Sequence, residues 1–224
     1  MQQVNTFFPF GPPVYINKID PNYVEEMLEH VDTAQMTPNK YDKRDSLAGR
    51  IDDQYTIEPL TSEACKGHIL QHVSQYNFDV GGQTDTYEIS GLWVNIQRYM
   101  ELNPMHSHDG MFSFVIFLKN ELNREETINN KFDSVRDTEL AGHLHFRYGE
   151  GNFMNWNVLN HWPEVGQIII FPSWLQHMVM PHYEEDKLRI SVAGNIVPAV
   201  SGTETCVHLE KSSVRRLTTK NPIA

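Results

Sequence analysis

Between residues 93 and 195, short apolar runs of strand length twice run up against histidine-bearing turns, and few folds accommodate that pattern. The first half reads Trp93-Val-Asn-Ile-Gln97, then Asn103-Pro-Met-His-Ser-His-Asp-Gly110, then an apolar run over 111–118. The second half reads Gly166-Gln-Ile-Ile-Ile-Phe-Pro-Ser-Trp-Leu-Gln-His177 and continues to Leu188-Arg-Ile-Ser191. Runs this short, rich in branched and aromatic residues and bounded by Gly, Pro and Asn, predict strands rather than helices. With further candidates over 87–97, 142–146, 178–180 and 188–196, the chain predicts an antiparallel core of about eight short strands, compatible with a jelly roll.

Helical signals are confined to the first third. Residues 7–19, rich in Pro and aromatics, predict an extended segment lying on the domain. Asp20 then caps a helix with Pro21 at its first position, and Val24, Met27, Leu28 and Val31 recur on one face. Residues 62–76 predict a second helix with Cys65, Ile69, Val73 and Tyr76 on one stripe, ended by Gly81-Gly82. Residues 41–58 are polar and predict an irregular connection. The stretch 120–139 predicts a polar surface loop. Residues 149–162 combine aromatics with Asn and Gly, a composition suited to a lid or pocket wall carrying Phe153, Trp156 and Trp162. A chain of 224 residues with 40% hydrophobic content can build one well-buried core. The expectation is a single domain over 1–224, with N-terminal extension and helices in 1–82, the β core in 83–200 and a tail in 201–224.

Charge narrows the partners. A net charge of -11 disfavours generic binding to nucleic acid or to an anionic membrane. Cys65 and Cys206 are too few for a disulfide scaffold or a thiolate metal site. The N-terminus lacks an export signal pattern, and no apolar run nears the ~20 residues of a membrane helix, so the expected location is the cytoplasm.

The chemistry lies in the histidines. On an extended segment His106 and His108 point the same way and can reach one ion. His177, on the turn after Phe171-Pro-Ser-Trp, is the best candidate for a third ligand. Imidazole suits several divalent metals and selects none of them. Asp109 competes with His108 if the backbone bulges. Arg189 on the last strand offers a planar carboxylate clamp, with Ser191 on the same side. Alternatively Arg189 pairs with Glu184, Glu185 or Asp186 just upstream. The pairs His143 with His145 and His68 with His72 lack an accompanying clamp or glutamate, and His161 and His182 are expected in loops.

In order, His-x-His, an apolar strand, Gly-x-Leu-x-Phe, Pro-Ser-Trp-Leu-x-His and Arg-x-Ser resemble the iron(II)- and 2-oxoglutarate-dependent oxygenases over about residues 92–195. Within them the chain most resembles a small phage and bacterial group with a Phe-Pro-Ser-Trp-Leu-x-His signature. The resemblance implies a mainly β fold with flanking helices, a double-stranded β-helix of the cupin-like jelly-roll kind. It also implies Fe(II) held by His106, His108 and His177, and 2-oxoglutarate held by Arg189 and Ser191, with Trp93, Asn95 and Gln97 lining the pocket. With O2, such an enzyme releases succinate and CO2 while hydroxylating a C–H bond of a peptidyl residue or small metabolite. The family's usual His-x-Asp or His-x-Glu is replaced here by His-x-His. A second arginine six residues after the clamp, expected of nucleobase demethylases, is replaced by Asn195. The competing assignments are a three-histidine cupin (a thiol dioxygenase or an isomerase) and a non-catalytic binding module. Substrate and oligomeric state are not legible.

Overall fold

Strand β4 (Tyr87–Gln97) is buried on both faces from residue 92 to 97, and this fixes the layering of the molecule. In the computed structural model, which describes residues 5–7, 11–46, 49–82, 86–129, 140–152 and 156–199, this strand lies between a helical layer and a second sheet. Leu92, Val94 and Ile96 join a core built with Val24, Met27 and Val31 of helix α1 (Pro21–Met36) and Ile69 and Val73 of helix α3 (Glu63–Asp79). Trp93, Asn95 and Gln97 alternate to the opposite face, because successive strand side chains point to opposite sides.

The helices begin where their caps dictate. Asp20 Oδ1 accepts from Asn22 N at 2.9 Å ahead of Pro21, and Ser62 Oγ accepts from Cys65 N at 3.1 Å. Each cap satisfies an amide that the helix leaves unpaired, worth about 1 kcal/mol. A short helix α2 (Pro38–Tyr41) follows α1, and α4 (Arg124–Asn129) lies in the polar stretch after residue 120.

The remaining strands are β1 (Asn5–Phe7), β2 (Val14–Lys18), β3 (Asp53–Thr56), β5 (Asn103–His106), β6 (Phe112–Asn120), β7 (Leu144–Arg147), β8 (Val158–His161), β9 (Gln167–Pro172), β10 (Gln176–Val179) and β11 (Arg189–Pro198). The larger sheet runs β1-β2-β9-β6-β11-β4-β3 and the smaller β5-β10-β7-β8. All pairings are antiparallel. From β4 onward the strands alternate between the two sheets except at β7 and β8, which are consecutive in the smaller one; this is the double-stranded β-helix, and a second core of Val14, Phe117, Phe146, Ile169 and Phe171 fills its interior.

Two expectations change and a third becomes more definite. Residues 41–58 contain β3, which edges the large sheet against β4. Residues 149–162 contain β8, a strand of the small sheet rather than a lid. The N-terminal extended segment supplies β1 and β2, which are hydrogen-bonded into the large sheet at β9. Phe153, residues 130–139 and the tail 201–224 lie outside the described residues.

Close packing at the centre of the large sheet is testable at Gly194. A Cβ there would sit 2.6 Å from the Gly91 carbonyl oxygen and 2.6 Å from Phe114 Cζ. Gly194→Ala is expected to destabilise the protein by about 1–3 kcal/mol through overpacking. Urea denaturation measures this, and an unchanged midpoint would mean that β4 and β11 separate freely.

Candidate metal centre

Cross-strand registry brings two of the histidines together. His106 ends β5 and lies directly opposite His177 of β10, so the two rings rise from adjacent backbones with centroids 4.3 Å apart. His108 stands just beyond the end of β5, not on it. Its amide donates to the Ser173 carbonyl at 2.9 Å, while Met111 N bonds the Ile196 carbonyl at 2.8 Å, so the turn is pinned to β11 and the β9–β10 turn. Gly110 allows this reversal with a φ of +112°, a conformation that side chains disfavour. The His108 ring lies 4.8 Å from that of His106 and 5.1 Å from that of His177. One ligand nitrogen from each of the three lies within 4.8 Å of the others. Asp109 is exposed, and no bulge is needed to bring His108 into the cluster.

Hydrogen bonding fixes the tautomers. His106 Nδ1 lies 2.6 Å from the Pro104 carbonyl oxygen and His177 Nδ1 lies 2.9 Å from that of Leu175. A carbonyl only accepts, so both Nδ1 atoms carry the proton and both Nε2 atoms are left bare, as metal ligation requires. Burial also keeps the rings uncharged. It lowers the His177 pKa to about 3, helped by His106 and opposed by the Leu175 carbonyl. It lowers His108 to about 4, with His106 adding to the effect and Asp109 opposing it. His106 shifts the same way, chiefly through burial.

Trp93, Asn95 and Ser191 line the cavity that holds the three imidazoles. Trp93 packs its ring 5.7 Å from that of His108, and Asn95 Oδ1 accepts from Gln54 Nε2 at 2.7 Å. Arg189 and Gln97, paired across β11 and β4, form the next inward-facing level. Arg189 is 2% exposed, and burial alone lowers its pKa to about 9. Its Nη1 donates to the Gly142 carbonyl, its guanidinium lies 6.0 Å from the Phe117 ring, and its Nε has no acceptor. Among the described residues no carboxylate pairs with it, and Glu184 instead accepts from the Thr127 hydroxyl.

The other histidines have their own partners. His145 Nδ1 meets Asn160 Oδ1 at 2.6 Å, His143 packs edge-on against Trp162, and His161, at the end of β8 rather than in a loop, meets Gln167 at 2.8 Å. On α3, His68 accepts from Asp20 N at 3.2 Å and His72 bonds Tyr15 OH at 2.9 Å. Trp156 is 82% exposed. Sequence reasoning passed over Gln54 and Asn103, both of which line the cavity. Gln54 lay in a segment without strand patterning, and Asn103 preceded a proline.

A double-stranded β-helix with one buried and two half-buried imidazoles converging in its interior is suited to hold a metal ion. A family model described as "Putative 2OG-Fe(II) oxygenase" matches residues 91–195, so across its barrel the chain is similar to the 2OG-Fe(II) oxygenases. No curated protein matches the chain by sequence. Among solved structures, a Pseudomonas putida prolyl-4-hydroxylase superposes with a TM-score of 0.57 at 14% identity, covering 83% of this chain and 92% of that one, and has the same fold. A Trichoplax adhaerens prolyl hydroxylase in complex with a peptide fragment of the hypoxia inducible factor oxygen degradation domain gives a TM-score of 0.49 at 14% identity, over 81% and 83%. The viral collagen prolyl hydroxylase of Paramecium Bursaria Chlorella virus-1, in its 2OG complex, gives 0.46 at 14% identity, over 81% and 94%. No helix among the described residues is long and apolar enough to cross a membrane.

The depressed histidine pKa values have a signed consequence. In the unfolded chain these imidazoles take up protons near pH ~6.5, whereas in the fold His108 resists until about 4 and His177 until about 3. Stability of the metal-free protein is therefore fully present above about pH 6.5 and declines as pH falls toward about 4. Thermal unfolding across that range checks it. His177→Phe is expected to flatten the decline, and an identical slope in that variant would refute the assignment.

Proposed function

We propose that this chain is an iron(II)- and 2-oxoglutarate-dependent dioxygenase, with His106, His108 and His177 holding the metal and Arg189 and Ser191 holding the far carboxylate of the co-substrate. The observation that carries this is the uncompensated guanidinium of Arg189. It is buried, aligned on β11 with Ser191 of the metal cavity, and left with a bare Nε donor. A buried unpaired charge costs several kcal/mol, so such a group is retained where an anion comes to meet it. Three neutral ligands leave a divalent ion its full charge, and the arginine adds one positive charge deeper in the barrel. Two separated cationic centres match a dianion with an acidic group at each end. A three-histidine cupin acting on an acidic thiol would also use the second centre, so succinate formation from 2-oxoglutarate, which such a cupin does not support, separates the two readings.

With iron bound, the site would couple oxidative decarboxylation of 2-oxoglutarate by O2, giving succinate and CO2, to hydroxylation of a C–H bond. The chain's own part is to orient and to exclude water. The carbonyls of Pro104 and Leu175 hold the Nδ1 protons of His106 and His177. Trp93, Asn95 and Ser191 wall the co-substrate, and Gln97 ties the base of the barrel by donating to the carbonyls of Glu101 and Met180. The substrate in this reading is a peptidyl residue or a small metabolite. The segment 171–177 supports placing the chain in the small phage and bacterial group bearing that signature. We further read the chain as one domain, because β1, β2 and β3 extend the barrel's own sheet. The free buried thiol of Cys65 suits a cytoplasmic location.

The assay is succinate formation from 2-oxoglutarate under air with added Fe(II), and its absence in iron-loaded protein overturns the proposal. Arg189→Met is expected to weaken 2-oxoglutarate binding about 10- to 100-fold, the equivalent of ~1.5–3 kcal/mol for a charge-assisted contact. Iron affinity should not change. Because an apolar side chain of similar volume replaces an unpaired buried charge, the ligand-free variant should unfold at or above the wild-type temperature. Equal loss of iron and co-substrate binding would make Arg189 structural.

A further inference from the structure

The turn that carries His108 rests on a row of three polar side chains from neighbouring strands. Ser113 lies on β6, Asn195 on β11 and Ser173 just past the end of β9. Ser113 pairs with Asn195 in the β6–β11 ladder, and both serines are buried. Ser113 Oγ lies 3.0 Å from Ser173 Oγ and 3.0 Å from Asn195 Oδ1. An amide oxygen only accepts, so the single Ser113 proton goes to Asn195 and the Ser113 oxygen accepts from the Ser173 hydroxyl. The donors therefore run one way, from β9 through β6 to β11. The His108 amide donates to Ser173 O at 2.9 Å, and Ser173 N donates to Met111 O at 3.2 Å. Gly110 lies over the row, since a Cβ there would stand 3.5 Å from Ser173 Oγ and 3.8 Å from Asn195 Cβ.

The sheet does not need this row to hold together. Strand β6 is already hydrogen-bonded through its backbone to β9 and to β11. Next along the inward faces of β6 and β9 come Val115, Phe117, Ile169 and Phe171, all in the apolar interior. Hydroxyls at this one level add little net stability, but their hydrogen bonds fix direction. Direction matters most for His108. His106 and His177 each have a backbone carbonyl at Nδ1, whereas among the described residues the His108 ring is held by packing on Trp93. A neutral imidazole holds an ion through one directed nitrogen and not through charge. The reach of His108 therefore depends on where its backbone is set, and Ser173 sets it.

We propose that Ser173, Ser113 and Asn195 are positioning residues for the metal centre, their hydroxyl–amide chain fixing the β9–β10 turn against β6 and β11 so that His108 is aimed at the ion. This rests on the reading of His108 as a metal ligand above. The three residues touch no metal themselves. They act through the backbone of Ser173, and on one of the three imidazoles only.

The test is a double-mutant cycle read by Co(II) titration of the metal-free protein, followed in the visible absorption of the bound ion. Ser113→Ala removes the centre of the chain and is expected to weaken Co(II) about tenfold, the usual effect of losing a group that orients a ligand. In a His108→Ala background the same change should cost less than about twofold, because no ring remains for the row to aim. The Co(II) spectrum of Ser113→Ala should move toward that of His108→Ala. A general loosening of the fold would instead weaken the ion equally in both backgrounds, through His106 and His177. Equal weakening, or wild-type affinity in Ser113→Ala, overturns the proposal. If Ser113→Ala does not fold, Asn195→Leu, which removes the terminal acceptor at similar volume, goes through the same cycle and decides in the same way. Wild-type protein that binds no Co(II), or His108→Ala that binds it as tightly as wild type, would overturn the metal-centre reading and this row's role with it, so the two failures are distinct.

Discussion

The antiparallel pairing of β11 with β4 on one side and β6 on the other is the contact on which the rest depends. Because side chains alternate along each strand, this triple ribbon presents two surfaces of opposite character. Ile190, Val192, Val94, Ile96, Phe114 and Ile116 belong to the core shared with α1 and α3. Each such side chain stabilises the fold by roughly 1.5–3 kcal/mol on burial. On the other surface the same register places Arg189 beside Gln97 and Ser191 beside Asn95. The polar interior is therefore held by apolar packing one residue out of phase with it. A slip of one residue would expose the core and bury the wrong set, so the site inherits its geometry from the strongest part of the fold.

Electrostatics in the interior follow from burial more than from ion pairs. The three clustered imidazoles are held neutral chiefly by desolvation, and the two backbone carbonyls at Nδ1 select which nitrogen remains free. Arg189 is also desolvated, but its pKa of about 9 leaves it a cation at neutral pH. The same low-dielectric environment thus yields uncharged ligands at one level and an uncompensated cation at the next. In water the same charge difference would exist but would be screened. Inside the barrel it separates a place for a metal from a place for a carboxylate.

How much of this was legible in the sequence depended on whether the signal was local. Asp20-Pro21 and Ser62 marked the starts of α1 and α3 because a cap is a property of a few neighbouring residues. The runs behind β4, β6, β9 and β11 were legible because burial on both faces makes them nearly continuous apolar strings or clear alternations. Strand β3 was not, since Asp53-Gln-Tyr-Thr56 carries no alternating apolar pattern and exists because β4 offers it an edge. The stretch holding strand β8 was read as a lid or pocket wall, since its Asn and Gly residues suggested a loop and the pairing of β8 with β7 is a tertiary fact. For the site, the spacing of His106 and His108 was informative, but their approach to His177 rests on a cross-strand register that no spacing encodes. Arg189 stood next to Glu184, Glu185 and Asp186 in sequence, so its isolation in space could not be read from the chain. His182 looked like a loop histidine for the same reason, although the loop containing it is packed against the barrel's base.

The register also acts as a ruler. Arg189, Ser191 and Ala193 follow one another on the inner face of β11, and Ala193 pairs with Trp93, whose ring packs on His108. Successive inward-facing residues on a strand are ~6.8 Å apart, two rises of ~3.4 Å. The separation between the histidine level and the arginine level is therefore set by a hydrogen-bonded ladder, not by a loop, and it cannot adjust to ligands of different length without breaking backbone pairs. Ser191 and Asn95 occupy the level between, with Ser191 on the same face as Arg189. A rigid spacing of this kind favours one length of diacid over its neighbours by geometry alone, since a shorter acid leaves a buried charge unmet and a longer one must bend. On the proposed reading, selectivity for the co-substrate would thus lie in the barrel, and selectivity for the oxidised substrate in the surfaces around its mouth.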